Sequence, residues 1–183
     1  MKRKTMFQLG GGVILVIILS WVFPYAFFSV DKSVTYKPDA IFVEQYQQDL
    51  QSFKTNEEIG STDHLIFNRT AYIMDMFEQD WLLNENGTSM RKADLEEILV
   101  QVKNKREHLI ELAFHETYST ETKEYLKDTL RHCLALEESI VELKNAKYSS
   151  RASLKRRYHN LHMSFVDTFD RYKYFYNEFK ETI

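Results

Sequence analysis

The sequence predicts an all-α protein, an N-terminal single transmembrane helix followed by an antiparallel helical bundle of four to five long helices. Three observations carry the prediction. Residues 5–30 hold no charged side chain. Proline is absent after Pro38, and both glycine and proline are absent after Gly87, so the strongest helix breakers are missing from the last 96 residues. Apolar side chains recur every three or four positions along most of the remainder, the period of one helical face.

Composition agrees. The 183 residues are 44% hydrophobic and 28% charged, with one cysteine and two prolines, which excludes collagen-like, disulfide-stapled and disordered classes and leaves room for one domain. Lys2, Arg3 and Lys4 precede the uncharged run, so residues 31–183 hold 21 of the 24 basic side chains against all 27 acidic ones. A basic tip, an apolar segment and an acidic body divide the chain into a short cytoplasmic tip (1–8), a transmembrane signal anchor (9–30), a linker (31–38) and an extracytoplasmic bundle (39–183).

The anchor is justified by length. Leu9 to Phe28 is an uncharged stretch that, at about 1.5 Å per residue, matches a hydrocarbon core of roughly 30 Å. A cleaved signal peptide has a shorter apolar core and small residues before the cut, whereas this one ends in Trp21, Phe23, Tyr25, Phe27 and Phe28. The basic tip keeps the N-terminus cytoplasmic, so the expected location is a bacterial plasma membrane crossed once, with the C-terminal domain outside. Trp21 and Tyr25 suit the outer headgroup layer, and Pro24 is expected to kink the last turn.

The bundle follows helix by helix. Asp39 to Phe53 carries Phe42, Tyr46, Leu50 and Phe53 on one face, and the polar stretch Thr55 to Thr62 ends it. The second helix runs from Asp63 through Ile66, Ile73, Phe77 and Trp81 to Asn86-Gly87, where glycine supplies a left-handed cap. Ser89 is the expected N-cap of the third, whose stripe of Leu95, Ile98, Leu99, Val102, Leu109 and Ala113 is interrupted by Arg106. The fourth spans about Glu121 to Tyr148, with Leu126, Leu130, Cys133, Ile140 and Val141. The fifth has the clearest stripe: Leu154, Tyr158, Leu161, Phe165, Phe169, Tyr172, Tyr176 and Phe179. Between these two, Ser149-Ser150 is read as a turn, because each helix needs a partner for its apolar face; a continuous rod from Thr120 to Phe179 is the alternative.

No pattern points to catalysis. Phosphate-loop, zinc-protease, nucleophile-elbow and Cys-x-x-Cys motifs are absent, as are the Glu-x-x-His pairs of di-iron bundles. Cys133 sits on an apolar stripe and reads as a small hydrophobe. His159 and His162, with Met163 beside them, share the spacing of a copper or haem-iron site, but Arg156 and Arg157 oppose a cation. Surface histidines are therefore the expectation, with no metal or other cofactor.

The strongest signal outside the core is charge. The 24 residues between Glu142 and Asp167 contain no acid and six bases, Lys144, Lys147, Arg151, Lys155, Arg156 and Arg157. If successive helices reverse direction, the turn at 149–150 returns toward the bilayer, so these bases are expected to meet anionic lipid or the acidic face of a partner. Tyr174 and Phe175 fall outside the stripe of the fifth helix and mark a candidate partner surface. The spacing of Tyr158, Tyr172 and Tyr176 says core rather than base stacking, so no nucleic acid is expected. The function expected is that of a non-enzymatic anchored bundle that binds or scaffolds a protein partner in the cell envelope. A ligand- or metal-binding sensor bundle, acting through a separate signalling protein, is the alternative.

Overall fold

The computed structural model describes residues 12, 14–56, 64–115 and 117–182. The basic tip, the beginning of the apolar run and most of the polar stretch after Thr55 lie outside the described residues. The first helix, α1 (residues 14–22), exposes every side chain from Ile14 to Leu19, at 37–62% of their surface. Among the described residues no helix is long and apolar enough to cross a membrane. α1 ends ahead of Pro24 instead of kinking over it, since proline disfavours helical geometry in the residue before it; the last helical bond runs from the Phe23 amide to the Leu19 carbonyl, 3.0 Å.

The linker forms a strand. β1 (Ser33–Tyr36) pairs antiparallel with β2 (Thr88–Arg91), Val34 lying opposite Met90 and Tyr36 opposite Thr88. This ribbon corrects the all-α expectation. Ser-Val-Thr-Tyr alternates β-branched and aromatic residues so that Val34 and Tyr36 share the face turned to the core, where Met90 joins them. Two helix-end assignments change with it. Ser89 lies within β2, and Asp94 instead accepts from the Arg91 amide at 2.7 Å where α5 (Lys92–His115) begins. Gly87, with φ +94°, leads into β2 rather than ending a helix, and a Cβ there would stand 3.1 Å from the Tyr36 carbonyl oxygen.

α2 (Ala40–Asn56) forms where its stripe places it, capped by Asp39, whose Oδ1 accepts from the amides of Ile41 and Phe42. The second expected helix is broken into α3 (Leu65–Met74) and α4 (Asp80–Leu83). No glycine or proline marks the break. One tertiary and two local bonds hold it open: Tyr46 on α2 donates its hydroxyl to the Phe77 carbonyl at 2.9 Å, while within the turn the Gln79 side chain accepts from Trp81 Nε1 at 2.8 Å and donates to the Met76 carbonyl at 3.0 Å. The turn lets Met76, Phe77, Trp81 and Leu82 all be buried.

α6 (Thr120–Lys144) is capped by Ser119, which accepts from the Thr122 amide, and α7 (Arg151–Thr182) follows after residues 145–150. The turn is therefore present and the continuous rod is not. α6 packs against both α5 and α7, and the short connections make each pair antiparallel. α7 is the axis of the core. Leu154, Tyr158, Leu161, Phe165, Thr168, Tyr172, Phe175 and Phe179 step by three and four along it, and His162, Phe169 and Tyr176 add a second buried row. Phe169 meets the rings of Tyr46, Phe53 and Phe77 at centroid distances of 5.2–5.9 Å, each such pair contributing about 0.5–1.5 kcal/mol beyond its buried area.

Candidate functional site

The segment leaving α1 is built into the helical domain. Tyr25, expected at a headgroup surface, is buried: its hydroxyl donates to the Met90 carbonyl at 3.1 Å and pairs with the hydroxyl of Tyr158 on α7. The reason is geometric, since the chain must turn at Pro24 to reach β1 and the turn lays Tyr25 over β2. Ser20 and Ser29 close the turn, Ser20 Oγ accepting from the Val30 amide and Ser29 Oγ donating to the Ser20 carbonyl. Trp21 is exposed.

Arg151 fastens this root to the start of α7. Its Nε donates to the Trp21 carbonyl at 2.6 Å, Nη1 to the Ser33 carbonyl at 2.8 Å, and Nη2 to Asp31 Oδ2 at 2.7 Å, while the guanidinium lies 5.7 Å from the centre of the Trp21 ring. Bonds from the Ser33 side chain and from Arg151 hold the Asp31 carboxyl below its ordinary range. These bonds place the start of α7 beside the end of α1.

The six-base cluster is dispersed by the fold. Lys144 pairs with Glu96 on α5, and Arg151 is spent on the root. Lys155, Arg156 and Arg157 are exposed on the first turns of α7, the last two facing Glu142 across a cleft of about 400 Å³. Lys147 lies elsewhere, in a cleft of about 410 Å³ with Lys32, Arg91 and Lys92, lined also by the buried Tyr25 and Ala26 and by the exposed Ala93, Phe27 and Tyr148. Sequence reasoning missed this cleft because its bases come from three separated stretches.

The remaining candidates divide by burial. Phe175 is fully buried against Tyr118 and Tyr172, so it is a core residue and not a partner surface. Tyr174 is exposed and stacks on Tyr125. His162, expected at the surface, is buried among Tyr36, Phe42, Tyr46 and Trp81, with Nδ1 3.0 Å from the Tyr36 hydroxyl. Its Nε2 is buried without a partner among the described residues, and burial, helped by nearby His159, lowers its pKa to about 4. His159 and Met163 are exposed while His162 is buried; among the described residues no group of three His, Cys, Asp or Glu side chains is arranged to hold a metal ion. Cys133 is buried, and desolvation pushes its thiol up to about 12.

A third, larger groove of about 930 Å³ opens between the ribbon and the first turns of α5. It is lined by Trp81, Met90 and Ile98 together with Asp31, Asp80, Asp94, Glu97, Lys32 and Arg91. Comparison of the chain with models of known protein families, with curated proteins and with solved structures returns no match.

Proposed function

We propose that this chain is a single-pass protein of a bacterial plasma membrane whose helical domain is held outside the cell, is not an enzyme, and binds or scaffolds a protein partner in the envelope. The observation that carries the reading is the contrast across Ser20. Before it, α1 turns its apolar side chains away from the domain; after it, Tyr25, Ser29 and Asp31 are bonded to β2, α1 and α7. A contiguous apolar surface of this kind marks a membrane or protein contact, and a bonded root transmits its orientation to the domain as a flexible tether does not. The anchor and the basic tip together orient the domain outward.

Two measurements test it. Chain carrying a C-terminal tag should stay with membranes through alkaline extraction and be digested when protease is added to intact spheroplasts; release at alkaline pH, or a protected tag, overturns the topology. Crosslinking in whole cells followed by recovery of the tag should return a reproducible envelope protein, and its absence overturns the partner role. The groove of about 930 Å³ favours a second reading, a ligand-binding sensor that acts through a separate protein, since it lies within the size range of small-molecule sites.

A further inference from the structure

We propose that the cleft formed by the Tyr25 turn, Lys32, the start of α5 and the turn after α6 binds the phosphate headgroup of an anionic phospholipid. The inference deepens the membrane-anchored reading and rests on it. The cleft encloses about 410 Å³, has a mostly apolar surface, and is rimmed by Lys32, Lys92 and Lys147 with no acid in its lining. Of the acids in the adjoining loop and the first turns of α5, Asp31 is paired with Arg151, Asp94 with Arg91 and Glu96 with Lys144, while Glu97 lines the separate groove of about 930 Å³. Among the described residues none of the three lysines has a carboxylate partner. Lys92 stands 5.5 Å over the Tyr25 ring, and burial, followed by repulsion from Lys147 and Lys32, lowers its pKa. Three lysines that line one cleft without a carboxylate partner among the described residues are the complement of a phosphate, which can accept charge-assisted hydrogen bonds from them.

The surroundings single out a lipid as the source of that phosphate. Phe27 and Tyr148 flank the cleft 81% and 72% exposed, in keeping with aromatic side chains that sit at a headgroup layer. The exposed apolar face of α1 enters the domain at this same turn. A headgroup in the cleft therefore leaves its acyl chains beside apolar protein surface.

Full-length protein in a neutral maltoside detergent is titrated with phosphatidylglycerol, phosphatidylcholine and inorganic phosphate, and retained adducts are counted by native mass spectrometry. Phosphatidylglycerol should be kept in preference to the other two. The variant Lys32→Gln/Lys92→Gln/Lys147→Gln should bind it roughly tenfold or more weakly, and the single exposed substitution Lys147→Glu should weaken it as well. Lys155→Gln/Arg156→Gln/Arg157→Gln, which removes the same number of charges outside the cleft, should bind as the parent does. Equal retention of phosphatidylglycerol and phosphatidylcholine overturns the proposal, as do unaltered binding in both cleft variants and equal loss in the α7 variant. Phosphate held as tightly as the lipid assigns the cleft to a free anion and overturns the lipid. Failure of the anchored reading looks different: the protein is then released by alkali while its lipid preference in detergent is unchanged.

Discussion

Replacing Arg151 by alanine should release the root of α1 from the domain. The guanidinium makes two bonds to main-chain carbonyls, one ion pair and one ring contact, and its side chain is only 18% exposed. Each carbonyl bond from the charged donor contributes about 1 kcal/mol, below the roughly 1.5–3 kcal/mol of buried charged hydrogen bonds because this edge is partly open to water. The pair with Asp31, whose side chain is 61% exposed, adds about 0.5 kcal/mol, and the Trp21 contact about as much. The total, about 3 kcal/mol, raises the population of the opened root by roughly a hundredfold. Endoproteinase Lys-C reads that population on detergent-solubilised protein, because Lys32 is cut only once residues around it leave the domain, and cleavage tracks the open fraction when opening is fast. Cutting at Lys103, in the middle of α5, reports global unfolding alongside. Arg151→Lys should recover little, since one ammonium cannot reach three acceptors in the guanidinium's fork. Unchanged cutting at Lys32 in the alanine variant, or a lysine variant as resistant as the parent, refutes the reasoning.

Three further outcomes follow from buried groups. His162 is neutral in the fold with its pKa lowered from 6.5 to about 4, so below pH 6.5 the unfolded chain takes a proton that the native one refuses. Stability should then fall as pH drops from about 6.5 toward 4, by about 2 kcal/mol at pH 5, and urea midpoints at pH 7 and pH 5 should show that loss shrinking in His162→Gln. Tyr25→Phe leaves the buried Tyr158 hydroxyl without its partner and should cost about 1–3 kcal/mol, seen as a lower thermal midpoint; a chain begun at Asp31 should lose more, having shed the buried ring itself. Cys133, its thiol raised to about 12, should resist aromatic disulfide reagents in the native protein and react fully in denaturant.

The sequence by itself determined the helices whose apolar stripe is local information: α2, α5, α6 and α7, the turn that separates the last two, and the place of Cys133 in the core. Periodicity identifies them because a helix draws its face from neighbours three and four positions away. On α7 the same information was present but read too narrowly. Leu161, Thr168 and Phe175 recur at seven-residue steps, and the polar threonine in the middle hid the row that buries Phe175. His162 occupies the adjoining row for the same reason, one step beyond a stripe drawn only through its apolar members.

Tertiary structure decided the rest, because those features depend on residues distant in the chain. β1 and β2 are four residues each and meet only where the chain returns more than fifty positions later. The break after Met74 depends on a hydroxyl from α2, and the burial of Tyr25 on a partner 133 residues away. Charge shows the division most plainly. Six bases adjacent in sequence face different directions on a helix end and a turn, and the fold engages two of them in ion pairs with acids from elsewhere. Lys147 alone joins Lys32 and Lys92 in one cleft, since electrostatic neighbours are set by distance in space, which linear spacing does not encode beyond a turn or two of helix.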